Sequence, residues 1–151
     1  KEAERSFISS TFWTERIGPV AAVATLEEME RLKSWETIST QGAKLKKLWL
    51  EGFQNAGIPV EIFGLDAIPS FRVEHEESNL IKTFFSQELL AESILGSNVA
   101  FASVLHDDKA LSEYKDKFTR IADAVGQSII QGQSLSLAHQ RQAQVGFSRL
   151  N

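Results

Sequence analysis

The chain has 151 residues, 42% of them hydrophobic, which suits one compact domain or a piece of a larger one with a buried core. Sixteen Lys and Arg against twenty Asp and Glu leave a net charge of -4, spread without a basic block to follow a phosphate backbone, which argues against a nucleic-acid partner. The lack of cysteine removes disulfides, thiolate metal sites and a cysteine nucleophile, while short apolar runs and no signal-peptide pattern argue against a membrane and make the cytoplasm the expected location.

The opening residue is Lys1, not Met, and the sequence reads as a piece of something longer. Pro19 follows Gly18 and opens a stretch rich in Ala, Leu, Glu and Met that predicts a helix through residue 34, with proline tolerated in the first turn. From Trp35 onward, Ile38, Gly42, Leu45, Trp49 and Phe53 recur at steps of three and four, so they share one face of a second helix that Gly57 stops. On that stripe Gly42 either lets another backbone come close or is a tolerated weakness.

Residues 58–63 and 70–73 alternate like strands, with Val60 and Ile62 on one side, Phe71 and Val73 likewise, and Pro69 between the runs; a short antiparallel pair is expected. A third helix is predicted over 78–95, its apolar face built from Ile81, Phe84, Phe85 and Leu89, with Ser78 or Asn79 as cap and Gly96 as stop. Residues 99–103 predict a third strand. Asp107 or Asp108 then caps a long helix on which Leu111, Tyr114, Phe118, Ile121, Val125 and Ile129 keep strict helical spacing. The remainder, 132–151, is rich in Gln and Ser and predicts a docked tail, a short helix or disorder. The expected fold class is α/β in the mixed α+β sense: a small sheet of about three strands packed with four helices.

Self-contained catalytic patterns are missing. His75, His106 and His139 are widely separated and have no closely spaced carboxylate partners of a metal triad, so no metal is expected. Glu74, Glu76 and Glu77 around His75 read as a solvated charged turn before they read as an acid and base pair. No phosphate-loop, dinucleotide or nucleophile-elbow glycine pattern occurs. The run Ser9, Ser10, Thr11 places hydroxyl and backbone donors shortly before a helix start, which reads first as a cap or turn and only second as a phosphate cradle.

One segment carries a family resemblance. Residues 10–26, Ser-Thr-Phe-Trp-Thr-Glu-Arg-Ile-Gly-Pro-Val-Ala-Ala-Val-Ala-Thr-Leu, resemble the part of the class III, pyridoxal-phosphate-dependent aminotransferases that begins Gly-Thr and runs into an alanine-rich helix ending Ala-Thr-Leu. The match lies at Thr11, Ala21 and the triplet Ala24, Thr25, Leu26, and the order of elements downstream agrees. The nearest branch is that of the glutamate-1-semialdehyde 2,1-aminomutases. The resemblance implies the C-terminal portion of a fold-type I transferase: 1–34 as the end of the large cofactor-binding domain and the start of a linking helix, 35–131 as the small domain, and 132–151 as an unassigned tail. It further implies a homodimer in which Thr11, helped by Ser10, hydrogen-bonds the phosphate of pyridoxal phosphate held by the other subunit.

Phe12 and Trp13 stand where the aminomutases usually carry leucine and serine, and Thr14, Glu15 and Arg16 replace a Gly-Asn-Pro run. Trp13 reads first as packing in the dimer interface and Arg16 as pairing with a surface acid; the second reading makes them substrate-side residues, the guanidinium a fork for a carboxylate. The family's cofactor-anchoring lysine precedes the segment matched by Thr11 and falls outside these residues. Without it the electron-sink chemistry has no anchor, so the segment alone is expected to be inactive. The resemblance thus implies an intact enzyme that moves an amino group on an amino acid or semialdehyde. A non-catalytic helical dimerisation or binding module is the alternative, and a stand-alone enzyme of unrelated chemistry ranks third.

Overall fold

The computed structural model describes residues 15–139 and 141–143. The chain divides into two compact units, Lys1–Ser34 and Trp35–Asn151.

In the first unit, helix α1 spans Ile17–Leu32 and none of its side chains is buried. It begins two residues ahead of Pro19, which therefore sits in the first turn, where a missing N–H breaks no helical hydrogen bond. Lys33 ends it in the left-handed region, φ 46°, its N–H donating to the Glu30 carbonyl. Val20, Val23, Leu26 and Met29 step along α1 at intervals of three and are all exposed.

Helix α2, Ser34–Asn55, which belongs to the second unit from Trp35 onward, buries the later part of the stripe read from the sequence: Leu45, Trp49 and Phe53 are at most 6% exposed. The close approach at Gly42 is real, because a Cβ there would lie 1.5 Å from the carbonyl oxygen of Asp66. Gly57, φ 69°, supplies the left-handed stop; its N–H donates to the Gln54 carbonyl and that of Ile58 to the Phe53 carbonyl, the paired bonds that satisfy a helix end.

Strands β1, Val60–Phe63, and β2, Ser70–Val73, pair antiparallel with Val60 opposite Val73 and Ile62 opposite Phe71. The same-face alternation fixes this register, since a slip of one residue would turn Phe71 and Val73 out of the core. The third expected strand is present only as an extended segment. Ser70 bridges Val99, and Phe71, Ala100 and Ala102 donate to the carbonyls of Asn98, Pro69 and Ala67. Pro69 can accept but has no N–H to return, so half of the ladder is missing at its position, and the named sheet has two strands.

Helix α3, Ser78–Ala91, buries Leu80, Ile81, Thr83, Phe85 and Leu89. It differs from expectation at both ends. Neither Ser78 nor Asn79 caps it; Glu77 holds the cap position without a side-chain bond, and the Glu77 N–H donates to Nδ1 of His75. It also stops before Gly96, because Ser93 takes the left-handed conformation, φ 62°, and Ile94 N–H donates to the Leu89 carbonyl. The half-buried Ile94 packs against the core, and that contact holds Ser93 in a conformation glycine would adopt more readily. Helix α4, Asp108–Gln131, is capped by Asp107, whose carboxylate accepts from the Ala110 N–H at 2.8 Å.

The core joins these elements through aromatic rings. Phe53 of α2 lies 5.0 Å from Phe71 of β2, 5.4 Å from Phe85 of α3 and 5.1 Å from Phe118 of α4, all edge-on. Two predictions follow from the backbone. Gly42→Ala drives a methyl into the Asp66 carbonyl and lowers stability by about 3 kcal/mol or more in urea unfolding, whereas Gly18→Ala, with nothing within 4 Å of the new Cβ, leaves it unchanged or slightly raised. Ser93→Gly relieves the left-handed strain and raises stability by about 1 kcal/mol, read as a higher midpoint in the same titration.

Candidate functional site

A cleft of about 570 Å³ opens in the second unit between α2, the 92–101 loop and the first half of α4. Helical spacing places Leu45 and Trp49 of α2 opposite Leu111 and Tyr114 of α4, and the loop closes one side with Leu95 and Phe101. Leu95 is 97% exposed, so the cleft has an apolar lip as well as an apolar wall.

Polar side chains line it as well, and most of them are committed. Trp49 Nε1 donates to the Tyr114 hydroxyl at 2.8 Å. Burial pushes the Tyr114 phenol well above its usual value, and the indole donation opposes that shift in part. Lys117 donates to the Glu92 carbonyl at 2.9 Å, and the Glu92 carboxylate pairs with Arg120 at 2.9 Å. His106 Nδ1 accepts from the Ser103 N–H. These contacts order the loop and leave no nucleophile with a base beside it.

Of the residues singled out in the sequence, Ser10, Thr11 and Trp13 lie outside the described residues. Arg16 is described: it holds the cap position of α1, is exposed, and its carbonyl accepts from the Val20 N–H at 3.0 Å. His75 is occupied by the backbone at the head of α3, so the charged turn around it is a structural turn. Among the described residues no cluster of three His, Asp or Glu is placed to hold a metal ion, and no helix is long and apolar enough to cross a membrane. Sequence reasoning missed the Trp49 and Tyr114 pair. The available signal was that a buried indole N–H needs an acceptor, and Tyr114 is the only tyrosine in the chain.

No family model matches the chain. It is 30% identical over 80 residues to the 3-aminobutyryl-CoA aminotransferase of Cloacimonas acidaminovorans (strain Evry), a stretch making up 53% of this chain and 19% of that enzyme. Among solved structures it is similar to the pyridoxal-phosphate internal aldimine form of the Sphingopyxis sp. MTA144 FumI protein, with a TM-score of 0.72 at 20% identity, over 87% of this chain and 32% of that one. The mixed α+β fold is therefore that of part of a pyridoxal-phosphate protein, and the chain spans between about a fifth and a third of the length of the proteins it matches.

Tyr114→Phe leaves the Trp49 N–H without its acceptor and lowers stability by about 1–3 kcal/mol in urea unfolding. The pH dependence has a definite sign. A phenol whose folded value lies above the unfolded value of about 10 keeps its proton longer in the native state, so the unfolded chain binds fewer protons above that pH and stability falls as pH rises past about 10. Near-ultraviolet tyrosinate absorbance checks this: the signal of the single tyrosine rises together with alkaline unfolding and not before it.

Proposed function

We propose that the intact protein is a pyridoxal-phosphate-dependent aminotransferase of class III, on the glutamate-1-semialdehyde aminomutase side of that class, and that it moves an amino group on an amino acid or semialdehyde. The observation carrying this is the 30% identity over 80 residues to an aminotransferase, in a chain whose fold matches part of a pyridoxal-phosphate protein. The resemblance at Thr11 and the Ala24, Thr25, Leu26 triplet supports the finer assignment.

In this reading residues 1–34 are the end of the large domain and the start of the linking helix, 35–131 are the small domain, and 132–151 are a tail. The protein works as a homodimer in the cytoplasm. Ser10 and Thr11 donate hydrogen bonds to the phosphate of the cofactor bound in the other subunit, where hydroxyl and backbone donors favour an anion. Trp13 and Arg16 face the substrate, with the exposed guanidinium of Arg16 available as a fork for a carboxylate.

The described residues do not fit the cofactor by themselves. Lys46 is held by the Gly64 carbonyl and the Asp66 carboxylate, both at 2.7 Å, and Lys117 by the Glu92 carbonyl. The cleft beside Lys117 is lined by Leu45, Trp49, Leu95 and Phe101 together with Glu92 and Glu113, whose carboxylates disfavour a phosphate. In this reading the second unit is held by its own aromatic core, and the cofactor contacts fall to Ser10 and Thr11.

The test uses the intact protein. Thr11→Val removes one of several phosphate contacts and weakens pyridoxal phosphate binding by about 1–2 kcal/mol in fluorescence titrations of the cofactor-free protein. Unchanged affinity takes Thr11 out of the site, and an intact protein that binds no pyridoxal phosphate at all overturns the whole assignment.

A further inference from the structure

The cleft between α2, the 92–101 loop and α4 is not used by the cofactor contacts assigned to Ser10 and Thr11, and its volume of about 570 Å³ suits a molecule of ring or short-chain size. Its floor is apolar by helical spacing. Leu45 and Trp49, one turn apart on α2, are 6% and 1% exposed, and Leu111 and Tyr114 of α4 line the facing side. Its lip is apolar as well: Leu95 and Phe101 are 97% and 73% exposed, so two large hydrocarbon surfaces border the opening.

The charged groups of the lining are answered within the protein. The Glu92 carboxylate pairs with Arg120 at 2.9 Å and lies 4.0 Å from Lys117, whose ammonium donates to the Glu92 carbonyl at 2.9 Å. Glu113 is exposed and lies 3.9 Å from Lys109, one turn back on α4. An anion entering the cleft meets two carboxylates, and a cation meets carboxylates that already have partners. Either ion would exchange water for apolar walls without a free counter-charge, at a cost in desolvation. The lining therefore selects an uncharged molecule.

Two neutral donors are left over. The Tyr114 oxygen accepts from Trp49 Nε1 at 2.8 Å, and the phenolic proton itself has no acceptor among the described residues. Burial keeps that proton in place throughout the physiological range. The indole donation also polarises the hydroxyl and makes it a better donor. His106 Nδ1 accepts from the Ser103 N–H at 3.3 Å, so the neutral imidazole carries its proton on Nε2, which likewise has no acceptor among the described residues.

We propose that this cleft binds an uncharged molecule with a ring or short aliphatic body and a carbonyl oxygen, the body covered by Leu45, Leu111 and Phe101 and the oxygen accepting from the Tyr114 hydroxyl. His106 Nε2 supplies a second donor on the same lining. The proposal uses no residue before Leu45 and is independent of the aminotransferase assignment.

Calorimetric titration of the intact protein compares three probes: methyl benzoate, propylbenzene, which keeps the body without the carbonyl, and benzoate, which adds a charge. None of them is an amino donor or acceptor, so the result is separate from that of the Thr11 experiment. Methyl benzoate is expected to bind about fivefold more tightly than propylbenzene, as one neutral hydrogen bond provides, and benzoate is expected to bind least. Tyr114→Phe removes the preference and leaves propylbenzene bound as before. Because that variant is less stable, a second one alters only exposed side chains of the lip: Leu95→Ser with Phe101→Ser is expected to weaken methyl benzoate and propylbenzene alike, by about fivefold or more. The proposal is overturned if methyl benzoate shows no saturable binding, if propylbenzene binds as tightly, if benzoate binds most tightly, if a folded Tyr114→Phe variant keeps the preference, or if the lip variant binds as the wild type does.

Discussion

The structure depends on one ring. Phe53 is wholly buried and meets the edges or faces of Phe71, Phe85 and Phe118, so a single side chain of α2 fastens β2, α3 and α4 together. Trp49, one turn earlier, adds an edge contact to Phe71 at 4.9 Å. Aromatic pairs in such edge-on geometry contribute about 0.5–1.5 kcal/mol each beyond the area they bury. A two-stranded hairpin is marginal alone in water, and here it becomes a fixed element because Phe71 plugs into that cluster. The close passage of the Asp66 backbone over Gly42 follows from the same packing, since the turn joining the strands is drawn down onto α2.

Much of this was legible in the residues. The steps from Leu45 to Trp49 to Phe53, and from Tyr114 to Phe118 to Ile121, state which helix faces are buried, and Phe71 with Val73 sets the register of the hairpin. What escaped has physical causes. Ser93 does a glycine's work because Ile94 packs against the core, and no local composition announces a tertiary contact. Residues 99–103 have the composition of a strand, but their neighbour is Pro69, which cannot return a hydrogen bond. The hydrogen bonds of Gln87 to the backbone of His139, and of Asn79 and Thr83 to that of Ala143, escaped because a backbone partner carries no sequence mark. For the candidate site the position is different: Ser10, Thr11 and Trp13 were reached by resemblance and lie outside the described residues, while Arg16 was reached the same way and stands exposed at the head of α1.

In the proposed reading the cofactor contacts fall to the hydroxyls of Ser10 and Thr11. Groups that hold a body rigid need rings and methyls aimed inward, and α2, β2, α3 and α4 provide those. Three lysines of the second unit, Lys44, Lys46 and Lys117, are each engaged by an oxygen of another element.

The contact between Trp49 and Tyr114 also gives the molecule an optical reporter. The sole phenol touches a buried indole, so light absorbed by the tyrosine passes efficiently to the tryptophan, and the colour and intensity of that emission register the approach of α2 to α4. Trp35, half exposed, emits from a more watery environment. Separating the Trp49 emission from that of the chain's other two tryptophans would follow the closing of the core during refolding without an added label.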